Sequence, residues 1–379
     1  MMPTSGAKPV KLLGAMKTKP TTNPVRLNLD KLVKRVLAEK SAQVKLGIDQ
    51  HARDVVVSMQ QDASMPQRAQ KMHPDDLLGL VRGLVSGGVR VFACYEAGPC
   101  GYWLYRALRA AGAEAYVIAP QALGGARKQK TDQLDALALC DALDRYLRGN
   151  RKAFTVVTVP SEEAERKRVR SRVRNQLKQE RTRLAAQGRS LMLSQGYHIE
   201  GSWWLKSHWE NLKDTLPGWL IECLEELRGL LLKADEQEKS LRKELEADAQ
   251  GAPRPKAIGP LTWVMLTREL CDWSRFKNRR QVAGYTGLCP GVDQSGTHHR
   301  DGSINRCGNP RVRALLIEAI WRLSIWQPDY APVRKLAAGI AKGAARRKLA
   351  VAAARRLAID LWRLATGKTT LEKLKLLPA

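Results

Sequence analysis

Four acidic residues in the first half of the chain have the types and positions of a divalent-metal site. Asp49 and Glu96 each close an apolar run typical of a buried β-strand, and Asp132 and Asp135 lie three residues apart in a predicted helix. Residues with that spacing share one helix face. Carboxylates that converge from two strand ends and one helix face supply the oxygen ligands that Mg²⁺ prefers. We call these four residues the acidic quartet.

Each member of the acidic quartet also has a purely structural interpretation. An Asp after a strand is commonly a turn residue or a helix cap, and acids in a first helical turn are favoured by the helix dipole. The occurrence of all four at strand-end and helix positions favours the metal site. Two Mg²⁺ ions held there, with Mn²⁺ as a substitute, would stabilise the attacking and leaving oxygens of a phosphodiester.

The composition indicates a nucleic-acid partner for this site. The chain of 379 residues carries 65 Lys and Arg against 37 Asp and Glu, a formal net charge of +28. Such an excess holds a phosphate backbone without reading its sequence. An apolar stretch of about 18 residues, which a membrane span would need, is missing. The seven cysteines form no CxxC pair, which favours free thiols in a reducing cytoplasm over disulfides or a zinc site.

The chain divides into five predicted segments. Residues 41–155 alternate strands and helices in the order of an α/β RNase H-like domain, and the choice of this fold rests on where the acidic quartet falls. A basic N-terminal arm, residues 1–40, precedes this domain and lacks the apolar run of a secretory signal. A helical region, residues 156–250, follows it. A mainly α third domain then covers residues 251–330 after a Gly/Pro linker, and a basic helical tail covers residues 331–379.

Hydrophobic periodicity predicts the individual elements of the first two segments. The predicted strands cover residues 44–49, 54–59, 68–72, 89–95 and 115–118. The predicted helices cover residues 30–39, 75–85, 101–111 and 131–147.

Residues 162–249 predict two long helices joined through a Trp-rich break, which suggests an antiparallel helical hairpin or coiled coil. A dense run of Arg and Lys occupies the first helix. It fits either a solvated helix face or a nucleic-acid contact, and its lack of acids favours the contact. The candidate contacts are Arg166, Arg170 and Arg174.

The third domain carries a possible nucleophile and several phosphate-binding groups. Ile258-Gly259-Pro260 begins a helix whose first backbone amides would face a phosphate. Ser295 and Ser303 lie in glycine-containing segments, where a Ser is more often a turn residue than a nucleophile. The candidate phosphate contacts are Arg300, Arg306 and Arg311.

The two sets of motifs resemble the DEDD transposases of insertion-sequence family 110, which are bridge-RNA-guided serine recombinases with a RuvC-like domain. The resemblance covers about residues 44–326. Its N-terminal motifs are Gly47-Ile48-Asp49, Tyr95-Glu96 and Lys130-Thr131-Asp132-x-x-Asp135-Ala136. Its C-terminal motifs are Ile258-Gly259-Pro260-Leu261-Thr262, Arg275-Phe276, Tyr285-x-Gly287-Leu288-x-Pro290, Ser295-Gly296 and Gly308-Asn309.

The resemblance implies a role for each part. The acidic quartet would bind the metal ions, and Ser295 would join the DNA through a phosphoserine link. Dimers would assemble into tetramers in which one subunit's serine completes another subunit's acidic site. A structured bridge RNA would pair with donor and target DNA, while the protein reads mainly shape and backbone.

Three alternatives stay open from the sequence. Ser303 lies eight residues after Ser295 and is a second candidate nucleophile. A RuvC-like, structure-selective endonuclease would use the acidic domain with water as the nucleophile. A non-enzymatic nucleic-acid binder would retain the basic surfaces on a decayed RNase H-like domain.

Overall fold

The computed structural model describes residues 29–120, 131–295 and 298–379, without the side chains of residues 292–301. Most of the predicted N-terminal arm and Lys130 of the helix motif therefore lie outside the described residues. The chain forms two compact units, unit 1 from Met1 to Val159 and unit 2 from Pro160 to Ala379.

Unit 1 is a mixed α/β domain. In chain order its elements are α1 (Leu29–Ala38), β1 (Gln43–Gln50), β2 (Val55–Gln61), β3 (Gln70–Met72), α2 (Pro74–Ser86), β4 (Arg90–Glu96), α3 (Trp103–Ala110), β5 (Glu114–Ile118) and α4 (Asp132–Leu147). The strands form one sheet in the order β3-β2-β1-β4-β5. The pairs β1–β2 and β2–β3 are antiparallel, whereas β1–β4 and β4–β5 are parallel. This mixed sheet confirms the predicted α/β class and is compatible with an RNase H-like fold.

The sheet packs different helices on its two faces. Ile48 and Tyr95 belong to the core that contains α2 and α3. Cys94, one residue before Tyr95, packs on the opposite face against α4. Side chains alternate along a strand. Asp49 and Glu96, one residue after Ile48 and Tyr95, therefore belong to the face that α4 covers.

A glycine lets α4 lie directly on β1. A Cβ at Gly47 would stand 2.3 Å from both the carbonyl oxygen of Ala136 and the backbone nitrogen of Cys140. Only a residue without a side chain permits that approach. At the start of α4, Thr131 Oγ1 accepts a hydrogen bond from the Leu134 N–H at 3.3 Å. The glycine and the cap together fix the first turn of α4 against β1.

Unit 2 is mainly helical, which confirms the prediction for the second half of the chain. Its elements are α5 (Glu162–Ser194), α6 (Lys206–Thr215), α7 (Gly218–Ala247), α8 (Pro260–Leu270), α9 (Arg279–Thr286), β6 (Pro290–Ser295), β7 (His298–Ile304), α10 (Pro310–Trp326), a 3₁₀ turn (Ala331–Val333), α11 (Arg334–Ala337), α12 (Gly343–Ala365) and a second 3₁₀ turn (Glu372–Leu374). The sequence did not predict α6 or the β6–β7 hairpin.

The helices α5 and α7 pack side by side in opposite directions. Arg170 pairs with Glu244 at 2.7 Å, and Arg181, further along α5, pairs with Asp235, which lies earlier on α7. Such a reversed order of partners requires antiparallel helices. Coiled-coil packing of this pair stays a prediction.

The Trp-rich segment between these helices forms the core of the hairpin end. Trp203 is buried, and its Nε1–H donates to the Ala185 carbonyl at 2.9 Å. A Cβ at Gly188 would stand 2.1 Å from the Trp203 ring, so glycine makes room for the indole. The helix α6 forms here because Trp209 and Leu212 bury one side of it in the same cluster.

Candidate functional site

A histidine joins two carboxylates of the acidic quartet. His51 Nε2 lies 3.3 Å from Asp49 Oδ2 and 3.2 Å from Asp132 Oδ2. His51 follows β1 directly, and its backbone N–H donates to the Asp54 carbonyl at 3.0 Å in the turn to β2. The side chains of Asp49 and Asp132 are 25% and 63% exposed, so the point where they meet is open to solvent.

The structure brings part of the acidic quartet to one point. Among the described residues, the ligand atoms that lie within 4.8 Å of one another belong to Asp49, His51 and Asp132, and not to Glu96 or Asp135. Glu96 nevertheless ends the strand next to β1, one residue after the Ile48–Tyr95 pair. Asp135 lies in the same first turn of α4 as Asp132. All four carboxylates therefore lie around one corner of the sheet.

The donors at this corner fit a divalent cation. Carboxylate oxygens suit Mg²⁺ and Mn²⁺, and an imidazole nitrogen suits transition metals better than Mg²⁺. Two carboxylate oxygens and one imidazole nitrogen within 4.8 Å give such a mixed set. Sequence reasoning missed His51 because it sought histidine pairs. The signal was its position two residues after Asp49, because side chains at that spacing share one side of an extended chain.

A basic residue borders this corner. Lys71 Nζ lies 2.9 Å from Asp54 Oδ2. The hydrogen bond and the charge of Asp54 raise the pKa of Lys71, and the negative charge of Asp132 adds to the rise. The negative charge of Asp132 therefore acts on Lys71 as well as on His51.

A second lysine fastens α4 to the sheet instead. Lys45 is buried, and its Nζ lies 2.5 Å from Asp144 Oδ1 near the far end of α4. Burial raises the pKa of Asp144, but hydrogen bonds from Lys45 and Arg148 outweigh it and hold this pKa below its ordinary value. Lys45 is therefore committed to the packing of α4, and its position helps to fix the acidic first turn.

The serine candidates lie at opposite ends of the β6–β7 hairpin. Ser295 is the last residue of β6 and pairs with His298, next to the turn. Ser303 lies on β7 beside the Pro290–Ile304 pair, at the base. The side chains of Ser295 and Arg300 lie outside the described part of the structure. The backbone alone therefore places Ser295 at the tip.

The glycine and asparagine of the C-terminal motifs hold the base of this hairpin. A Cβ at Gly308 would stand 2.5 Å from both the Gly287 backbone nitrogen and the Tyr285 carbonyl oxygen. Asn309 caps α10, since its Oδ1 accepts from the Arg311 N–H at 3.0 Å. Its Nδ2 donates to the buried Glu269 at 2.8 Å. These residues fix the two chain segments that lead into and out of the hairpin.

The other two arginines predicted in this domain flank that base. Arg306 is exposed, and its backbone takes the left-handed conformation with φ of 57°. Arg311 is partly exposed, with its Nε 4.0 Å from Glu269 Oε1. Both guanidinium groups thus reach solvent beside the hairpin.

The three predicted contacts on α5 differ in environment. Arg166 is 80% exposed and lies 3.7 Å from Glu162 in the preceding turn. Arg170 is about half exposed and pairs with Glu244 of α7. Arg174 is buried against Glu238. The basic run therefore serves in part to hold α5 and α7 together.

Two sequence-family models match the chain. The model for DEDD transposases of IS110 elements, described as "Transposase", matches residues 46–197. A model described as "Transposase IS116/IS110/IS902 family" matches residues 254–333. The first contains the whole acidic quartet and the second contains Ser295 and Ser303.

Several curated proteins are similar to this chain. "Putative transposase y4rJ" of Sinorhizobium fredii is 34% identical over 268 residues, which are 62% of this chain and 66% of that protein. "Putative transposase y4qE" of the same organism is 31% identical over 61% of this chain and 58% of that protein. "Probable family 20 transposase" of Pseudomonas aeruginosa is 30% identical over 59% of this chain and 68% of that protein. The chain thus matches somewhat less than two thirds of the two Sinorhizobium proteins. Within the described residues, none of the helices has the length and apolar character of a membrane span.

Proposed function

This chain belongs to the IS110 family of DEDD transposases, and we propose on that premise that it cuts and rejoins DNA strands to move an insertion sequence. The observation that carries the proposal is the meeting of Asp49 and Asp132 at one imidazole nitrogen, at the corner where Glu96 and Asp135 also lie. Like charges brought together in this way destabilise a fold unless a cation offsets them. A basic protein of net charge +28 supplies the complementary surface for DNA.

The acidic quartet and His51 would hold Mg²⁺ or Mn²⁺, with two ions in a complete site. Cations held by these residues would supply positive charge to the scissile phosphate and to the attacking and leaving oxygens. The contribution of the chain is to fix its donors in advance. Gly47 sets the distance between α4 and β1, and Thr131 sets the start of α4.

Ser295 is the proposed nucleophile. Its Oγ attacks a DNA phosphorus, a phosphoserine ester forms, and one deoxyribose hydroxyl leaves with the proton. A hydroxyl of the partner strand then attacks the same phosphorus, re-forms a phosphodiester and releases the serine. Its place at the hairpin tip supports this role over that of Ser303 at the base, because a tip reaches a DNA backbone with less obstruction.

A structured bridge RNA that pairs with donor and target DNA is the proposed source of sequence specificity. Dimers that assemble into tetramers would let the serine of one subunit meet the acidic quartet of another. The division of the chain into five segments and the coiled-coil packing of α5 against α7 are also part of this proposal. The proposed phosphate contacts are Arg166, Arg170, Arg300, Arg306 and Arg311. Arg174 leaves that set because its guanidinium is buried against Glu238.

A trapped protein–DNA adduct tests the proposal. The full chain would be incubated with Mg²⁺, RNA from the element end and nicked donor DNA, then denatured and digested for mass spectrometry. We expect a phosphoserine adduct at Ser295, absent in Ser295→Ala and present in Ser303→Ala. An adduct at Ser303 would move the nucleophile. Cleavage without an adduct would favour the RuvC-like endonuclease, and binding without cleavage would favour the non-enzymatic binder.

A further inference from the structure

A cavity of about 650 Å³ in unit 2 has a strongly basic wall. It lies among residues 330–334, the second half of α12 and the chain that follows α12. We call it the basic cavity. Its cationic side chains are Arg334, Arg356, Arg363, Lys368, Lys373 and Lys375.

Among the residues that the structure describes, Asp360 is the one carboxylate in that wall, and it holds two of the arginines in place. Its side chain is 2% exposed. Asp360 Oδ2 accepts from the Tyr330 hydroxyl at 2.9 Å and from Arg356 Nε at 3.2 Å. Asp360 Oδ1 accepts from Arg363 at 3.5 Å. A single negative charge is thus shared between two guanidinium groups, which keeps them aligned without neutralising both.

Two more cations of the wall are held by groups that carry no charge. Lys368 Nζ lies 4.1 Å from the centre of the Trp362 ring, a cation–π contact. Arg334 Nε donates to the Asp329 carbonyl at 3.3 Å. Lys373 and Lys375 are exposed. The six cations therefore meet one carboxylate and leave an excess of positive charge in a concave, partly preordered wall.

We infer that the basic cavity binds the sugar–phosphate backbone of a nucleic acid, as an anchor separate from the acidic quartet and Ser295. Guanidinium and ammonium groups are the side chains that bind phosphate oxygens most strongly. Tyr330, the aromatic residue among the described residues of the wall, is buried and donates its hydroxyl to Asp360, so it gives no stacking surface for bases. Contacts to phosphate without contacts to bases fix position and carry no sequence information.

This inference rests on the proposed function only in taking nucleic acid as the ligand. DNA and RNA share the phosphodiester chemistry, and the experiment separates them. The full chain would be titrated, without Mg²⁺, into a labelled DNA duplex and a labelled RNA hairpin of equal length. Fluorescence anisotropy at several salt concentrations gives the affinity and its salt dependence.

Removing two anchored cations should weaken binding and flatten its salt dependence. In Arg363→Gln/Lys368→Gln we expect the affinity at 0.1 M salt to fall by about tenfold or more, because phosphate contacts are lost. Each lost contact should also make the slope of log K against log salt less steep, by about 0.9 for duplex DNA. The matched control is Arg347→Gln/Lys348→Gln, an equal charge change at exposed positions of α12 outside the cavity wall. An equal loss in both variants would overturn the inference.

A variant of Asp360 tests whether the geometry of the wall matters, because geometry and net charge predict opposite changes in affinity. Asp360→Asn raises the net charge by one, so unspecific attraction alone would tighten binding. A preordered wall predicts weaker binding instead, because Arg356 and Arg363 lose their shared acceptor. If the Tm shows that Asp360→Asn does not fold, Tyr330→Phe replaces it as the test. Tyr330→Phe removes only one hydrogen bond to Asp360 and should also weaken nucleic-acid binding. Tighter binding in folded Asp360→Asn would overturn the inference.

The outcomes separate this inference from the proposed function. A loss confined to the RNA hairpin or to the duplex supports the anchor and identifies its ligand. Wild-type protein that binds neither nucleic acid would contradict both the inference and the proposed function. Normal binding by wild type together with equal losses in the cavity and control variants would contradict the inference alone.

Discussion

In unit 1, Asp49 and Asp132 approach the same nitrogen atom of His51, whereas in unit 2 the acids Glu238 and Asp235 are each held by arginine. The first arrangement concentrates negative charge at a solvent-open corner. The second distributes opposite charges pairwise between two packed helices. The acids of unit 1 therefore converge on one point, whereas those of unit 2 are neutralised one by one.

The largest expected effect comes from removing one converging carboxylate. Asp132→Asn should lower the rate of donor-strand cleavage in Mg²⁺ by about a thousandfold, because it removes several kcal/mol of charge stabilisation from the reaction. Single-turnover cleavage of labelled DNA measures the rate. The matched control is Asp141→Asn, an exposed acid further along α4, which should cleave at the wild-type rate. Similar losses in both variants would show that the helix charge matters and the corner does not.

An acid of the helix pair should matter for stability instead. Glu238→Gln leaves Arg174 buried without its charged partner, so we expect a loss of about 3 kcal/mol in the free energy of unfolding. Urea denaturation followed by circular dichroism measures it. Glu246→Gln on the same helix breaks only a partly exposed pair with Arg242 and should cost under about 1 kcal/mol. A Glu238→Gln protein that keeps wild-type stability but fails to cleave DNA would contradict this structural role and place Glu238 in the reaction.

The histidine at the corner should affect which metal binds. His51→Ala should weaken Mn²⁺ binding by about tenfold and Mg²⁺ binding by less, because imidazole is a better ligand for transition metals. Calorimetric titration with each metal measures the two affinities. An equal change for both metals would indicate that His51 only orients Asp49 and Asp132.

The smallest expected effect is on the pH dependence of protein stability, and it comes from replacing Glu269. Burial raises the pKa of Glu269, but hydrogen bonds from Arg172 and Asn309 outweigh it and hold this pKa below its usual 4.5. A carboxyl whose pKa is lowered by folding stabilises the protein above its unfolded pKa and loses that contribution as the pH falls through the folded value. Stability should therefore fall below about pH 4.5 less steeply in Glu269→Gln than in wild type. Urea midpoints between neutral and acid pH would show the difference, and parallel curves would contradict it.

The sequence predicted most of unit 1 because its signals are local. Every element predicted between residues 30 and 147 is present, with ends within about two residues. Alternating apolar runs and a capped helix start are properties of short segments, and Asp49 and Asp132 stand at their ends. The contact between His51 and Asp132 could not be predicted, because it depends on how closely α4 approaches β1. That approach depends on Gly47, a residue with no chemical function of its own.

Unit 2 was harder to predict because its charges and turns act over long distances. The basic run of α5 looks the same in sequence whether its guanidinium groups face solvent or face the acids of α7. Arg174 forms a buried ion pair only because Glu238, sixty-four residues later, folds against it. The β6–β7 hairpin was missed because most residues of its strands are polar and form no alternating apolar pattern. Gly308 packs against the backbone of Tyr285 and Gly287, so the chain segments on either side of the hairpin meet at its base.

Calorimetric titration of Mn²⁺ and Mg²⁺ into the full chain would show whether the corner formed by Asp49, His51 and Asp132 binds a divalent metal. We predict saturable binding to wild type that is lost in Asp49→Asn and in Asp132→Asn and unchanged in Asp141→Asn. Without metal, the Tm of Asp49→Asn and Asp132→Asn should equal or exceed that of wild type, since each exchange preserves shape and removes one of the like charges. Undiminished metal binding in folded Asp132→Asn would contradict the assignment of this corner as the metal site.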